Sequence, residues 1–367
     1  MISVKRKIDR PLLIIVTFLI VVGFFVFTSA ALGLMNKTGA SFFNTVTSQS
    51  IALLIGLFLM LLFSFVHYSH WKKIALYIFL LGLVSSLLVF VPGIGFGHGG
   101  AIRWIDLGFT TIQPAEILKF GFVLYCASWL TNVQGKTDKF MYGLLPLLIL
   151  VSLAGIILLL QKDTDSFIII TGVGVAMFIA AGARWRDVFI LGSFGVLVLG
   201  GLIALRPYIY DRILTFINPS LDILGSSFQI KQSLISIGSG EMWGRGFGQS
   251  IQKFTFLPEP IGDSIFSVAA EEFGFVGSVV IIFLFVALLF RGLLIASRSS
   301  DFFARLVTVG VVILIVGQSF RNIGGMIGVL PLSGTTLLFF SQGGSALLMV
   351  LALTGIIFNI SRYQKKK

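Results

Sequence analysis

The sequence predicts an all-α, polytopic membrane protein with about ten spanning helices and one long outer loop between spans 7 and 8. Three observations carry that expectation. Of 367 residues, 56% are hydrophobic and only 11% charged, with a mean hydropathy of +1.01. Soluble domains are about 25% charged, and disordered chains are poor in apolar residues. Second, ten apolar runs approach the roughly 20 residues a helix needs to cross a ~30 Å hydrocarbon core. Third, Lys and Arg collect in alternate connections between those runs, which is how membrane topology is written in sequence. The single cysteine, Cys126, lies inside an apolar run, so no intrachain disulfide can form.

In order, the runs are 11–34, 49–66, 74–91, 114–130, 141–160, 166–183, 187–205, 264–290, 306–328 and 338–360. Lys5, Arg6 and Lys7 before the first run, with Ser29-Ala30-Ala31 inside it, imitate a signal peptide. The apolar stretch is longer than a signal-peptide core, which makes it an uncleaved span. Only Arg184-Trp185-Arg186 separates the sixth and seventh runs. One continuous helix there would leave two arginines in lipid, so two spans are expected. Placing the N-terminus inside puts Lys5, Arg6, Lys7, Arg10, Lys72, Lys73, Lys136, Lys139, Arg184, Arg186, Arg291, Arg298, Arg305, Arg362, Lys365, Lys366 and Lys367 on the cytoplasmic side. Only Asp9, Asp138, Asp187 and Asp301 accompany them. Both termini are then cytoplasmic. The net charge of +12 is a topology signal and an attraction to anionic headgroups; no basic patch addresses nucleic acid. The chain reads as one membrane domain, 1–367, without a fixed-period repeat.

The outer loop, about 206–263, is structured in pattern. Phe228, Ile230, Leu234, Ile235 and Ile237 alternate with Gln229, Lys231, Gln232 and Ser233 as in an amphipathic helix near the interface. Gly238, Gly240, Gly244, Gly246 and Gly248 follow, where backbone can come close to another segment. Pro258 and Pro260 flank Glu259.

Ionisable residues inside or at the lip of apolar runs are the candidates for chemistry, since each costs ~2.5–3.5 kcal/mol at mid-bilayer. Glu116 and Lys119, three apart on one helix face, either lock helix packing or contact substrate. Asp163 and Asp165 stand at the mouth of the sixth run beside Lys162, and Asp163 either caps the helix or binds a ligand. Asp263 opens the eighth run, Glu271 and Glu272 lie two to three turns deeper as bridges between helices, and Arg321 is in the ninth. Arg103-Trp104 is either an interfacial anchor or a site element. Other patterns carry nothing. Gly95, Gly97 and Gly100 satisfy GxGxxG without a preceding strand. His67 and His70 lack a third ligand, and Asn36-Lys37-Thr38 is only a formal glycosylation sequon.

The ordered motifs resemble the SEDS family, the shape, elongation, division and sporulation proteins typified by FtsW and RodA. Gly100-Ala101-Ile102-Arg103-Trp104-Ile105 with Gln113-Pro114-Ala115-Glu116 and Lys119 is similar to the family's GA-RWI…QPSE–K stretch. Phe228-Gln229, Gln232-Ser233 and Ile237-Gly238-Ser239-Gly240 resemble YQ–QS–AIGSGG. Gly246 to Ser250, Gln252-Lys253, Leu257-Pro258-Glu259 and Asp263-Ser264-Ile265-Phe266 through Glu271-Glu272-Phe273-Gly274 follow in order. Asn322-Ile323-Gly324, Leu330-Pro331, Gly334 and Ser341-Gln342-Gly343-Gly344-Ser345 complete the pattern, and the wording is closer to FtsW. Departures are clear as well. Gln161-Lys162-Asp163-Thr164-Asp165-Ser166 loses the proline and glycine of QPD-GT. Gly262 replaces a Thr, Gln342 replaces the Tyr of SYGGS, and Leu338 stands where Pro is usual.

The resemblance implies a peptidoglycan glycosyltransferase of the bacterial cytoplasmic membrane that polymerises lipid II at the outer face, in division or cell-shape maintenance. It implies Asp263 as catalytic base and Arg103, Glu116, Lys119, Gln232, Ser233, Lys253, Glu259, Arg321 and Ser341 as substrate contacts. A divalent cation (Mg or Mn) would be held by Asp163 and Asp263, with no organic cofactor. Partners would be lipid II, membrane lipids and a single-span class B penicillin-binding transpeptidase. A lipid II flippase and a non-catalytic scaffold are the alternatives.

Overall fold

The computed structural model describes residues 7–35, 39–98, 101–106, 108, 111–205, 207–217 and 226–364. Asn36-Lys37-Thr38, Gly100, Lys5, Arg6, Lys365 to Lys367 and part of the long loop (206, 218–225) lie outside the described residues. The described helices are α1 (Arg10–Ala31, continued by a 3-10 turn, Leu32–Leu34), α2 (Gly39–Phe65), α3 (Tyr68–Leu88), α4 (Pro114–Asn132), α5 (Leu144–Leu160), α6 (Thr164–Ala180) and α7 (Trp185–Leu205). They continue with α8 (Pro207–Ile217), α9 (Ser226–Ser239), α10 (Gln252–Thr255), α11 (Ile265–Arg298), α12 (Phe302–Met326) and α13 (Gly344–Ser361).

The ten predicted runs coincide with α1–α7 and α11–α13. Among the described residues, seven helices are long and apolar enough to cross a membrane: α1 with its turn, α2, α3, α7, α11, α12 and α13. The apolar helices α5 and α6 are 17 residues each. The second run begins at Gly39 rather than 49, because the polar stretch before it is also helical, and Gln49 ties α2 to the segment leading into α13. Gln49 Nε2 donates to Ser341 O (3.2 Å) and its Oε1 accepts from Gly343 N–H (3.3 Å). The tenth begins at Gly344 rather than 338, since residues 331–343 form an irregular segment.

The all-α expectation holds, with one small sheet added to it. Between α3 and α4 lie three antiparallel strands in the order β1-β2-β3: β1 (Gly95–His98), β2 (Ala101–Asp106) and β3 (Thr111–Ile112). β-Branched and aromatic residues in Ile102-Arg103-Trp104-Ile105 favour a pleated strand, and outside the apolar runs helix is not imposed. This hairpin marks one end of the bundle, where α3 ends and α4, α6, α11 and α13 begin.

Small residues set the closest helix pairs, as is usual where lipid supplies no hydrophobic drive. A methyl group on Gly82 would lie 2.6 Å from Leu118 Cα, and one on Gly121 2.7 Å from Phe79 Cα, so α3 and α4 meet backbone to backbone. At the other end, Asp9 caps α1 through Leu12 N–H (3.0 Å) and pairs with Arg291 of α11 (2.6 Å).

α11 is broken. Gly274 has φ 66° and ψ −164°, a conformation open essentially to glycine alone. The glycine-rich turn after α9 fills the break. Arg245 N–H donates to Glu271 O (3.0 Å) and Gly246 N–H to Glu272 O (2.9 Å), while Phe275 and Val276 N–H donate to Glu241 O (2.8 Å) and Met242 O (3.1 Å). Backbone groups freed by the break are thereby satisfied, which a helix interrupted in a membrane requires.

Candidate functional site

Two of the groups that charged side chains form at the hairpin end gather residues from many elements. The first surrounds Gly334 in the irregular segment. A methyl group on Gly334 would come within 3.7 Å of Asp263 Oδ2, 3.8 Å of Arg103 Nη1 and 3.9 Å of Arg212 Nη2. Arg103 comes from β2, and its guanidinium also donates to the carbonyls of Gln161 (3.4 Å) and Lys162. Arg212 comes from α8. Asp165, in the first turn of α6, accepts from Gly334 N–H (3.1 Å), Arg212 Nη1 (3.2 Å) and Arg321 Nε (3.0 Å) and Nη2.

Asp263 sits in the turn before α11 and is half-buried. Among the described residues no side chain hydrogen-bonds its carboxylate. Its backbone is held from several directions. Asn322 Nδ2 donates to Asp263 O (2.8 Å) and Thr335 O (2.7 Å), Ser341 Oγ donates to Gly262 O (2.7 Å), and Gln342 N–H donates to Ile261 O (2.7 Å). Burial, then the neighbouring carboxylates of Glu259 and Asp165, push the Asp263 carboxyl up to about 7, against the pull of Arg212 and Arg103. A carboxylate in that range is matched to taking a proton near neutral pH.

The second group is closed. Lys253 Nζ pairs with Glu272 Oε1 (2.6 Å) with both side chains 0% exposed, and Ser29 Oγ bonds both partners (2.6 and 3.0 Å). Glu271 accepts from Ser236 Oγ (3.0 Å), Ser250 Oγ (2.7 Å) and Ile251 N–H (3.0 Å), with Arg245 at 3.5 Å. Glu272 Oε2 is the one carboxylate oxygen of this group without a hydrogen-bond partner among the described residues.

The expected site residues therefore scatter. Asp263, Arg103 and Arg321 join the first group. Glu259 is exposed, with Oε2 beside Gly262, next to Asp263. Ser341 is buried and supports the Asp263 turn. Lys253, expected at the substrate, is instead locked to Glu272. Glu116 and Lys119 form a buried pair (2.7 Å) completed by Gln318 Oε1 (2.7 Å), which joins α4 to α12. Ser233 is buried against Met326 Sδ (3.4 Å), and Gln232 is half-buried on α9. Asp163 caps α6 through Ser166 N–H (3.1 Å), leaving its buried Oδ2 without a hydrogen-bond partner among the described residues. Among the described residues no three His, Cys, Asp or Glu side chains assemble as a metal-binding set. Sequence reasoning missed Arg212, which has no signal in the long loop. It noted Asp165 without a role; the signal was a second carboxylate at the mouth of an apolar run.

A family model described as "Cell cycle protein", covering FtsW, RodA and SpoVE, matches residues 10–366. The chain is 36% identical to stage V sporulation protein E of Bacillus subtilis (strain 168), over 98% of this chain and 99% of that one. It is 36% identical to a probable peptidoglycan glycosyltransferase FtsW of Coxiella burnetii, over 98% and 97%. Among solved structures, it resembles a chain from work on structural coordination of polymerization and crosslinking by a peptidoglycan synthase complex (TM-score 0.80, 26% identity, 98% and 99% covered). It also resembles the rod shape determining protein RodA of Thermus thermophilus (TM-score 0.70, 25% identity, 98% of each). These relatives are bacterial, and the chain, like RodA, is a multi-span helical membrane protein.

Proposed function

The chain belongs to the FtsW, RodA and SpoVE family of cell cycle proteins, and from that premise we propose that it is a peptidoglycan glycosyltransferase polymerising lipid II. The hairpin end faces outward from the bacterial cytoplasmic membrane and both termini face the cytoplasm. One observation carries the reading: a half-buried carboxylate, Asp263, raised toward neutral pH and, among the described residues, left without a hydrogen-bonding side chain, beside two guanidiniums.

The acceptor sugar hydroxyl is far too weak an acid to ionise alone at pH 7, so its attack needs a base in reach. Asp263 takes the hydroxyl proton as the oxygen bonds to the anomeric carbon of the donor. The bond from that carbon to the pyrophosphate breaks, and its electron pair leaves with the prenyl pyrophosphate. The donor bond is α and the product β, so one in-line displacement inverts the centre. Arg103 and Arg212 meet the charge that builds on the leaving group. The donors suit at most a divalent cation shared with the substrate: Asp163, whose Oδ2 has no hydrogen-bond partner among the described residues, and Asp263 would hold it, and it would neutralise pyrophosphate charge.

A single-span class B penicillin-binding transpeptidase is the expected partner, supported by the likeness to a chain of a peptidoglycan synthase complex. Purified protein, alone and with that partner, is incubated with labelled lipid II and the products resolved by length. Glycan ladders that vanish in Asp263→Ala support the proposal. Leaflet transfer without ladders means a flippase, and neither activity means a scaffold.

A further inference from the structure

Asp165 has no part in the proton transfer above, yet both its oxygens are committed. Oδ1 accepts from Arg321 Nε (3.0 Å) and Nη2, and Oδ2 from Arg212 Nη1 (3.2 Å) and Gly334 N–H (3.1 Å). One carboxylate thus ties guanidiniums from α8 and α12 to the backbone of the irregular segment. Exposure grades in a telling direction. The Asp165 side chain is 1% exposed, Arg321 16% and Arg212 29%, so the anion lies at the bottom and the cations face the opening. A guanidinium has five N–H donors in a rigid fork. Among the described residues Arg212 commits one to Asp165 and Arg321 two, leaving donors for a second anion. Arg212 Nη2 already reaches the space beside Gly334 at which Asp263 Oδ2 and Arg103 Nη1 also arrive. Even with Asp263 ionised, the three guanidiniums of Arg103, Arg212 and Arg321 outnumber the two carboxylates, Asp165 and Asp263, that meet them around Gly334.

Resting on the reading that the leaving group is a prenyl pyrophosphate, we propose that Asp165 is a positioning residue. It clamps Arg212 and Arg321 into a fixed pair, and with Arg103 that pair forms the subsite that receives the pyrophosphate. As the anomeric bond breaks, its electron pair ends on the phosphate oxygen that had linked the sugar to the pyrophosphate, while the hydroxyl proton ends on Asp263. Donors already aimed at that oxygen need no reorganisation at the moment of reaction, which is where such groups gain their effect. Without Asp165 the two cations repel each other and turn away.

The test uses the full-length protein in detergent, with inorganic pyrophosphate as the binding probe and polymerisation of labelled lipid II as the second readout. Asp165→Asn keeps the shape and removes the charge. It is expected to weaken pyrophosphate binding at least tenfold and lower kcat at least tenfold, with Asp165→Glu recovering part of both. Arg321→Gln is expected to weaken pyrophosphate binding as well, and adding it to Asp165→Asn to cost little more, because the two act as one unit. If Asp165→Asn fails to fold, Arg321→Gln and Arg321→Lys carry the decision, since they leave Asp165 bonded to Arg212. Gly334→Ala adds a methyl group that meets nothing closer than 3.7 Å, so it folds and narrows the subsite, again weakening pyrophosphate. Unchanged or tighter pyrophosphate binding in Asp165→Asn or Arg321→Gln overturns the inference; tighter binding would mean that Asp165 only occupies the anion's place. Pyrophosphate binding that follows this pattern in a protein unable to polymerise lipid II would instead sink the proposed function and leave the subsite standing.

Discussion

Two clusters of charge share the hairpin end of the bundle, and the ten residues from Asp263 to Glu272 contribute to both. Around Glu271 and Glu272 nearly every donor has its acceptor, and Lys253 and Glu272 are wholly shut away. Around Gly334, arginines outnumber fixed partners, Asp263 is half-open, and its proton affinity is raised. An unpaired charge in a low-dielectric bundle costs several kcal/mol, so each cluster needs a remedy. The cluster around Glu271 and Glu272 is remedied by internal pairing and fastens a broken helix. The cluster around Gly334 keeps spare donors at an exposed opening, and is therefore able to receive a ligand.

Three experiments break or sharpen that contrast. Asp263→Asn is expected to lower polymerisation by about 10²–10⁴, the usual weight of a general base, with the fold intact by circular dichroism. Lys253→Met is expected to destabilise by about 3–5 kcal/mol, as removal of one buried partner does, read from thermal unfolding in detergent. Lys253→Met with Glu272→Leu should recover most of that loss. If Lys253→Met instead left stability untouched and stopped turnover, Lys253 would belong with the reacting groups and the contrast would fail.

How much of this was readable beforehand differs by region for a physical reason. The ten helices of the bundle were legible because lipid demands long apolar runs, and residues 11–34 or 344–361 satisfy that demand locally. Asp263 was legible through a run of neighbouring motif residues. The break at Gly274 was not, since a glycine inside an apolar run is also compatible with a straight helix; only the approach of Met242 and Gly244 forces it open. The strand at Ile102–Ile105 had a local signal, but Arg103-Trp104 was weighed only as an interfacial anchor or a site element, not as part of a strand. Lys253 and Arg321 looked alike as isolated bases. Their partners, Glu272 and Asp165, decide their roles, and Asp165 lies 156 positions from Arg321. Arg212, 47 positions beyond Asp165, joined the site only through tertiary contact.

The finest test concerns what sets the proton affinity of Asp263. A base must be ionised, so kcat/KM should rise with pH through about 7, the value to which burial, Glu259 and Asp165 raise this carboxyl. The sign for stability is opposite. A carboxyl that holds its proton more tightly when folded than at its ordinary 3.8 loses native stability as pH climbs between those values. Asp263→Asn should therefore be at least as stable as the unmodified chain at pH 8, though inactive. Glu259 is exposed, so Glu259→Gln leaves the fold alone while removing one like charge beside Asp263. The rising limb of the rate profile should move to lower pH with its plateau unchanged. A limb that stays in place would assign the raised value to burial and Asp165 alone, and a collapsed plateau would put Glu259 in contact with the sugar.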